Sequence, residues 1–407
     1  MAQYDIKLNS EEVVGLLTDN DQFSKLMETI INQVLEAQMA EHLGAESYER
    51  SDDRSGYRNG YRPRQLSTRV GHLILRVPQT RDGSFSTEIF RRYQRTEQAF
   101  VLGLMDMYLG GVSTRKVSKI TEELCGVSFS KSTVSELTAE VDGRVQAFKG
   151  RPLNDKTYPF LIVDALYIDV RQNDVVKSMG MLIAYGVNSD GKREILGLKL
   201  GDSESETTWS ELFSDLKKRR LSGVELVVSD AHTGLVKALK KHFQGASWQR
   251  CQVHFMRNVM GHAPKKLRAE IAGHLKSILY AYDKEAARKL ANDFISKYEK
   301  SAKEAVRCFE EGFESATTVM AFPSEYRQRL RTSNLAERVN EEIRRREKVI
   351  RIFPNENSAI RIIGALLADW NDAWISGKKY LDMTRYYEWK KEQLSQSEND
   401  PVVNFVA

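Results

Sequence analysis

Three carboxylates stand in three settings that invite chemistry. Asp164 lies inside the apolar run YPFLIVDALYIDV, Asp230 ends VELVVSD, and Glu337 opens the basic stretch RTSNLAERVNEEIRRR. A carboxylate in mid-strand loses hydration, which is unfavourable unless a cation or a positive partner answers it. Phosphoryl transfer on DNA uses two divalent ions about 4 Å apart, one activating the attacking oxygen and one steadying the leaving oxygen. Magnesium and manganese take hard carboxylate oxygens, so two aspartates and a glutamate on rigid elements suit a pair of Mg²⁺ or Mn²⁺ ions. Each acid also has an ordinary reading. Asp164 could pair with a buried arginine, although Ile162, Val163, Ala165 and Leu166 offer no local partner. Asp230 could cap the next helix, and Asn334 with Glu337 matches a capping box. Asp169 falls on the other side of the pleat from Asp164 and reads as solvated. Glu206, three after Ser203, reads as a structural cap opening the helix of Trp209, while Glu341 and Glu342 are possible substitutes for Glu337.

These acids need a scaffold that brings them together. Strands are expected near 160 to 170, 179 to 188 and 193 to 200, a helix over 204 to 220, a strand over 224 to 229, a helix over 233 to 243 and a short strand around 248 to 254. Three hairpin-connected strands followed by α-β-α-β is the order of a ribonuclease H-like mixed sheet, in which the fourth strand lies beside the first. Asp164 and Asp230 would then converge at one edge. Residues 257 to 330 show only helical stretches with Lys- and Glu-rich faces, an all-helical insertion within the α/β core. A helix over 356 to 376, with Trp370 and Trp374 on one face, packs back on the core. Cys251 and His254 form C-x-x-H, half of a zinc site, but no second Cys or His pair has suitable spacing. They are expected either near the metal or DNA strand, or as a core pair without a role.

The first 150 residues read as a mainly helical DNA-binding region. Residues 21 to 43 have helical apolar spacing, a polar Gly- and Arg-rich stretch follows, and RVGHLILRV reads as a strand; residues 96 to 109 return to helix. Eleven arginines, no lysine and five acids fall between Tyr48 and Arg95, a local net charge of +6 (11 − 5), with tyrosines interleaved. Arginine suits bidentate phosphate contacts and tyrosine can stack, so Arg58, Arg62 and Arg64 are expected on DNA, against the alternative of a merely solvated loop. Over 110 to 148, Ser113 and Ser130 or Ser132 as caps and Gly126 as a stop suggest two helices in a helix-turn-helix, with Lys131 on the DNA side. Arg344 lies two turns after Glu337 and, with Arg345, would hold the DNA backbone. The expected divisions are 1–150, 151–256, 257–330, 331–380 and a polar tail over 381–407.

Composition sets wide bounds. A chain of 407 residues with 41% apolar content can hold several cores, and no apolar run is long enough for a membrane helix. Three scattered cysteines disfavour a disulfide framework, so a cytoplasmic protein is expected, associated with the nucleoid when on DNA.

The runs RNGYRPR, GGVSTRKVSKITEELCG, VDALYIDVR, VVSDAHTGL, WQRCQVHFMRN and TSNLAERVNEEIRRREKVIRIFPNENSA occur in order over roughly residues 21 to 376. Together they resemble the bacterial mutator-type insertion-sequence transposases, a branch of the DDE transposases. The resemblance implies that Asp164, Asp230 and Glu337 are the catalytic acids, that a basic residue follows the glutamate by seven at Arg344, and that Cys251 and His254 correspond to a family signature. It further implies binding of terminal inverted repeats by the N-terminal region, cleavage freeing a 3′ hydroxyl, strand transfer to target double-stranded DNA, and action as a homo-oligomer on paired ends. Two other readings remain: a DNA-binding regulator that kept the fold without the chemistry, and a structure-selective nuclease without strand transfer.

Overall fold

A computed structural model describes residues 20–49, 54–89, 103, 104, 107, 112, 114–125 and 131–399. The chain divides into two compact units, 1–141 and 142–407. In the first, helix α1 (Asn20–Leu43) packs on a two-stranded antiparallel sheet, β1 (Arg58–Thr68) with β2 (Gly71–Thr80). Leu35 closes its small core with Leu66, Leu73, Leu75 and Val77. The arginine-rich stretch expected as irregular is therefore a strand over much of its length. Its periodicity is hidden because only Leu66 and Thr68 of β1 are buried. Helices α2 (Thr114–Cys125) and α3 (Lys131–Gly150) match the two helices expected over 110–148. The turn between them, with Gly126 and Ser130, lies outside the described residues, as do Ser113 and most of 96–109. Ser132 falls inside α3 rather than capping it.

The second unit holds a five-stranded sheet made of β3 (Phe160–Gln172), β4 (Val175–Val187), β5 (Arg193–Gly201), β6 (Leu226–Ser229) and β7 (Ser247–Arg250). The spatial order is β5-β4-β3-β6-β7, with β3, β4 and β5 antiparallel in sequence and β6 and β7 parallel to β3. The fourth strand of this sheet lies beside the first, as its element order required. Alternation along β3 separates two buried faces. Leu161 and Val163 join Leu182, Ala184 and Leu196 beneath α4 (Glu206–Lys218) and α5 (Thr233–His242), through Trp209, Phe213, Leu235 and Leu239. Phe160 faces the other way, onto Phe322, Tyr326 and Tyr386.

After β7 the chain enters a helical body: α6 (Gln252–His262), α7 (Arg268–Leu279), α8 (Lys284–Tyr298), α9 (Lys303–Ala316) and α10 (Ser324–Leu330). It has its own core, centred on Phe255, Ile271, Leu275, Phe294 and Phe309. Gln249 binds this body to the sheet, donating to the Ala316 carbonyl at 2.8 Å and accepting from the Val319 amide at 2.6 Å. The insertion begins at Gln252, because β7 stops at Arg250 rather than 254. Helices α11 (Asn334–Ile350) and α12 (Glu356–Ser376) return to the sheet. The expected polar tail is instead a docked helix, α13 (Thr384–Asn399). Tyr386 is wholly buried against Phe160 and Tyr326, and Lys390 pairs with Glu225, anchors that an otherwise hydrophilic segment conceals.

Candidate active site

Parallel pairing sets the first two acids side by side. Ile162 lies opposite Val228, so continuing the register by two residues brings Asp164 level with Asp230, just past the end of β6. Asp164 belongs to the Phe160 face of the sheet and is only partly exposed. Loss of hydration pushes its carboxyl up to about 6; the Asp230 charge adds to the rise, while a hydrogen bond from Asn340 and the nearby His254 oppose it. Asn340 Nδ2 donates to Asp164 Oδ2 at 2.6 Å, and the buried Asn340 Oδ1 has no hydrogen-bond partner. Asp230 does not cap α5: His232 occupies the N-cap position, and Asp230 Oδ1 accepts the His232 amide at 3.2 Å in a local turn.

A third acid shares this field, and it is Glu204. Burial raises its carboxyl first, then the Asp230 charge, with a further contribution from Asp164. His232 Nδ1 stands 3.8 Å from its Oε1, and Trp209 Nε1 donates to the same oxygen at 3.3 Å. Glu206, weighed from the sequence, is the first residue of α4, and its cap is Ser205, which accepts from the Thr208 amide, rather than Ser203. Glu204 could not be singled out from sequence because no period marks a loop residue. Tertiary packing aims it: a Cβ on Gly234 would lie 2.6 Å from the Glu206 amide, so α5 is tight against this loop.

Glu337 lies in the first turn of α11 and is exposed. Ser333, not Asn334, is the N-cap, so the expected capping box does not form. Among the described residues, no group of three or more His, Cys, Asp and Glu side chains is arranged to hold a metal ion. The structure thus brings Asp164, Asp230 and Glu204 into one electrostatic field, while Glu337 is an exposed residue in the first turn of α11. Helix α11 nonetheless runs along β3. Asn340, one turn after Glu337, meets Asp164, Arg344 donates to the Tyr167 carbonyl at 2.6 Å, and Phe353 bonds both Asp169 and Arg171 main chains at 2.8 Å. The residues at Asp164 and Asp230 fit a hard divalent cation, by oxygen chemistry and by the under-satisfied Asn340 Oδ1 beside them.

Cys251 and His254 are near this centre. Burial alone would raise the Cys251 thiol, but hydrogen bonding with His254 and Ser333 brings it below its ordinary value. His254 is raised, first by Cys251 and also by the charges of Asp164 and Asp230, while burial opposes. Arg344 pairs with Glu347 at 2.5 Å and Arg345 with Glu342 at 3.0 Å. In the other unit, Arg58 pairs with Glu36 at 2.7 Å, Arg62 is exposed, Arg64 is partly buried on β1, and Lys131 opens α3.

The family model of the mutator-family transposases matches residues 1–377. The chain belongs to that family. The transposase is 46% identical, over 95% of its own length and 100% of the relative's, to the transposase for insertion sequence element IS256 in transposon Tn4001 of Staphylococcus aureus. It is 42% identical to the transposase for insertion sequence element ISRM5 of Rhizobium meliloti, over 94% of this chain and 96% of that one. It is 38% identical to the transposase for IS1081 of Mycobacterium tuberculosis, over 88% and 86% respectively. Membership makes it an enzyme of DNA cleavage in general terms. Among the described residues, no helix of this transposase is long and apolar enough to cross a membrane.

Proposed function

We propose that this transposase binds the terminal inverted repeats of an insertion sequence, cleaves DNA there to free a 3′ hydroxyl, and joins that hydroxyl to target DNA. The catalytic part in this reading is a ribonuclease H-like core. The sheet order supports it, with three antiparallel strands and two more parallel to the first. Asp164, Asp230 and Glu337 are the catalytic acids and would hold two Mg²⁺ or Mn²⁺ ions. When bound, such ions would activate the attacking oxygen and stabilise the leaving oxygen of an in-line displacement, without a covalent protein–DNA intermediate.

The observation that carries the reading is Asp164 itself: a carboxylate in mid-sheet whose affinity for a proton is raised by burial and by Asp230. Ionised, it would be stabilised by a cation beside it. Asn340 fixes the orientation of one Asp164 oxygen, and the His232 amide fixes one of Asp230. Glu204 deepens the negative potential that gathers cations there. Glu337 stands one turn before Asn340, the point where α11 touches Asp164. Arg344 and Arg345 would exchange their glutamate partners for phosphates. Arg58, Arg62, Arg64 and Lys131 would bind the element ends, on a homo-oligomer that pairs two ends in the cytoplasm. Nicking of a supercoiled plasmid carrying the element's own ends tests the proposal. Mg²⁺-dependent nicking lost in Asp164→Ala is expected. Equal nicking by wild type and variant would refute it and leave a DNA-binding regulator.

A further inference from the structure

The C-x-x-H pair sits where three distant segments meet. Cys251 is buried at the junction of β7 with α6, and its amide donates to the Ser229 carbonyl at 2.6 Å, the residue before Asp230. Its Sγ accepts from the Ser333 amide at 3.4 Å and from Ser333 Oγ at 3.5 Å. The next residue repeats the link, the Gln252 amide donating to the Arg331 carbonyl at 3.0 Å. Residues 251 and 333 therefore close the base of the helical insertion. Ser333 holds the N-cap of α11, where a serine ordinarily accepts an amide of the first turn, yet it makes no side-chain cap. Its hydroxyl is turned to the thiol instead.

We propose that Cys251 is a positioning residue, tying the start of α11 to the end of β6 and β7 and so setting where Glu337 stands relative to Asp230. The geometry that carries the tether is the pair of Ser333 contacts to the sulfur. A cysteine kept only for its volume would need neither of them. The inference rests on Glu337 acting as the third catalytic acid, but the tether can be tested apart from that role.

Amide hydrogen exchange on the full chain, with and without Mg²⁺, would compare wild type, Cys251→Ala, Cys251→Ser and Ser333→Ala. Exchange over residues 333–337 is expected to quicken about tenfold in Cys251→Ala, consistent with the loss of a modest buried hydrogen bond, and to recover in Cys251→Ser. Ser333→Ala should give a smaller acceleration, and the double variant no more than Cys251→Ala, because the two share one contact. Unchanged protection in Cys251→Ala, or equal acceleration throughout β3, would overturn the tether. The exchange pattern decides the tether in the absence of metal. A wild-type chain whose protection around Asp164 and Glu337 ignores Mg²⁺ would instead sink the metal reading.

Discussion

Asp164→Asn should stabilise the metal-free protein. Burial, reinforced by the charge of Asp230, moves the Asp164 carboxyl from 3.8 to about 6, which at about 1.4 kcal/mol per tenfold change is about 3 kcal/mol of unfavourable ionisation. The sign follows from linkage: the folded chain holds this proton more tightly than the unfolded chain, so the proton's contribution is complete below pH 3.8 and is lost as pH rises through about 6. Asparagine is neutral at every pH and keeps an oxygen to accept from Asn340. In denaturant titrations with EDTA, the variant should therefore exceed wild type by up to about 3 kcal/mol at pH 7.5. The gap should close as pH falls from 6 toward 4. Mg²⁺ should then stabilise wild type and leave the variant unmoved, because only the carboxylate gains a partner. A variant equal to or weaker than wild type at pH 7.5 in EDTA would refute the claim that Asp164 is a buried charge lacking a cation.

Asn340→Ala removes the donor that steadies Asp164 and should lower stability at pH 7.5 by about 1–3 kcal/mol, with the loss reduced but not abolished in an Asp164→Asn background, where a neutral oxygen still accepts the bond, as a double-mutant cycle by denaturation would show. Gly234→Ala places a Cβ against the backbone of the loop carrying Glu204. It should cost about 1–3 kcal/mol and raise the Mg²⁺ concentration needed for half-maximal thermal stabilisation, whereas an unchanged melting curve would mean the loop yields freely. Arg345→Ala should weaken DNA binding uniformly across sequences and reduce the slope of log K against log salt by about 1, read by fluorescence anisotropy at several salt concentrations.

Much of the sheet is legible in the sequence because its signals are local. Apolar runs marked the strands of the second unit and helical spacing the helices between them, and the order of elements implied that Asp164 and Asp230 would meet. What stayed hidden depends on tertiary approach. Glu204 belongs to a loop pressed inward by α5, and Asn340 follows from the angle at which α11 crosses β3, neither of which has a period in sequence. The β1 strand was masked by its exposed arginines, and α13 by a polar surface over one buried tyrosine. Glu337 was legible as a helix-start residue in a basic segment, but its distance from the aspartates is a property of helix placement. The structure shows that placement with Asn340, rather than the glutamate, at Asp164.

Counting bound Mn²⁺ by electron paramagnetic resonance, on the protein complexed with a cleaved element end, would examine whether the three acids act as one ion-holding group. Two ions per chain are expected in wild type, with binding lost in Asp164→Asn and Asp230→Asn and diminished in Glu337→Gln. Retention of both ions in Glu337→Gln at wild-type affinity, or in either aspartate variant, would contradict the assignment.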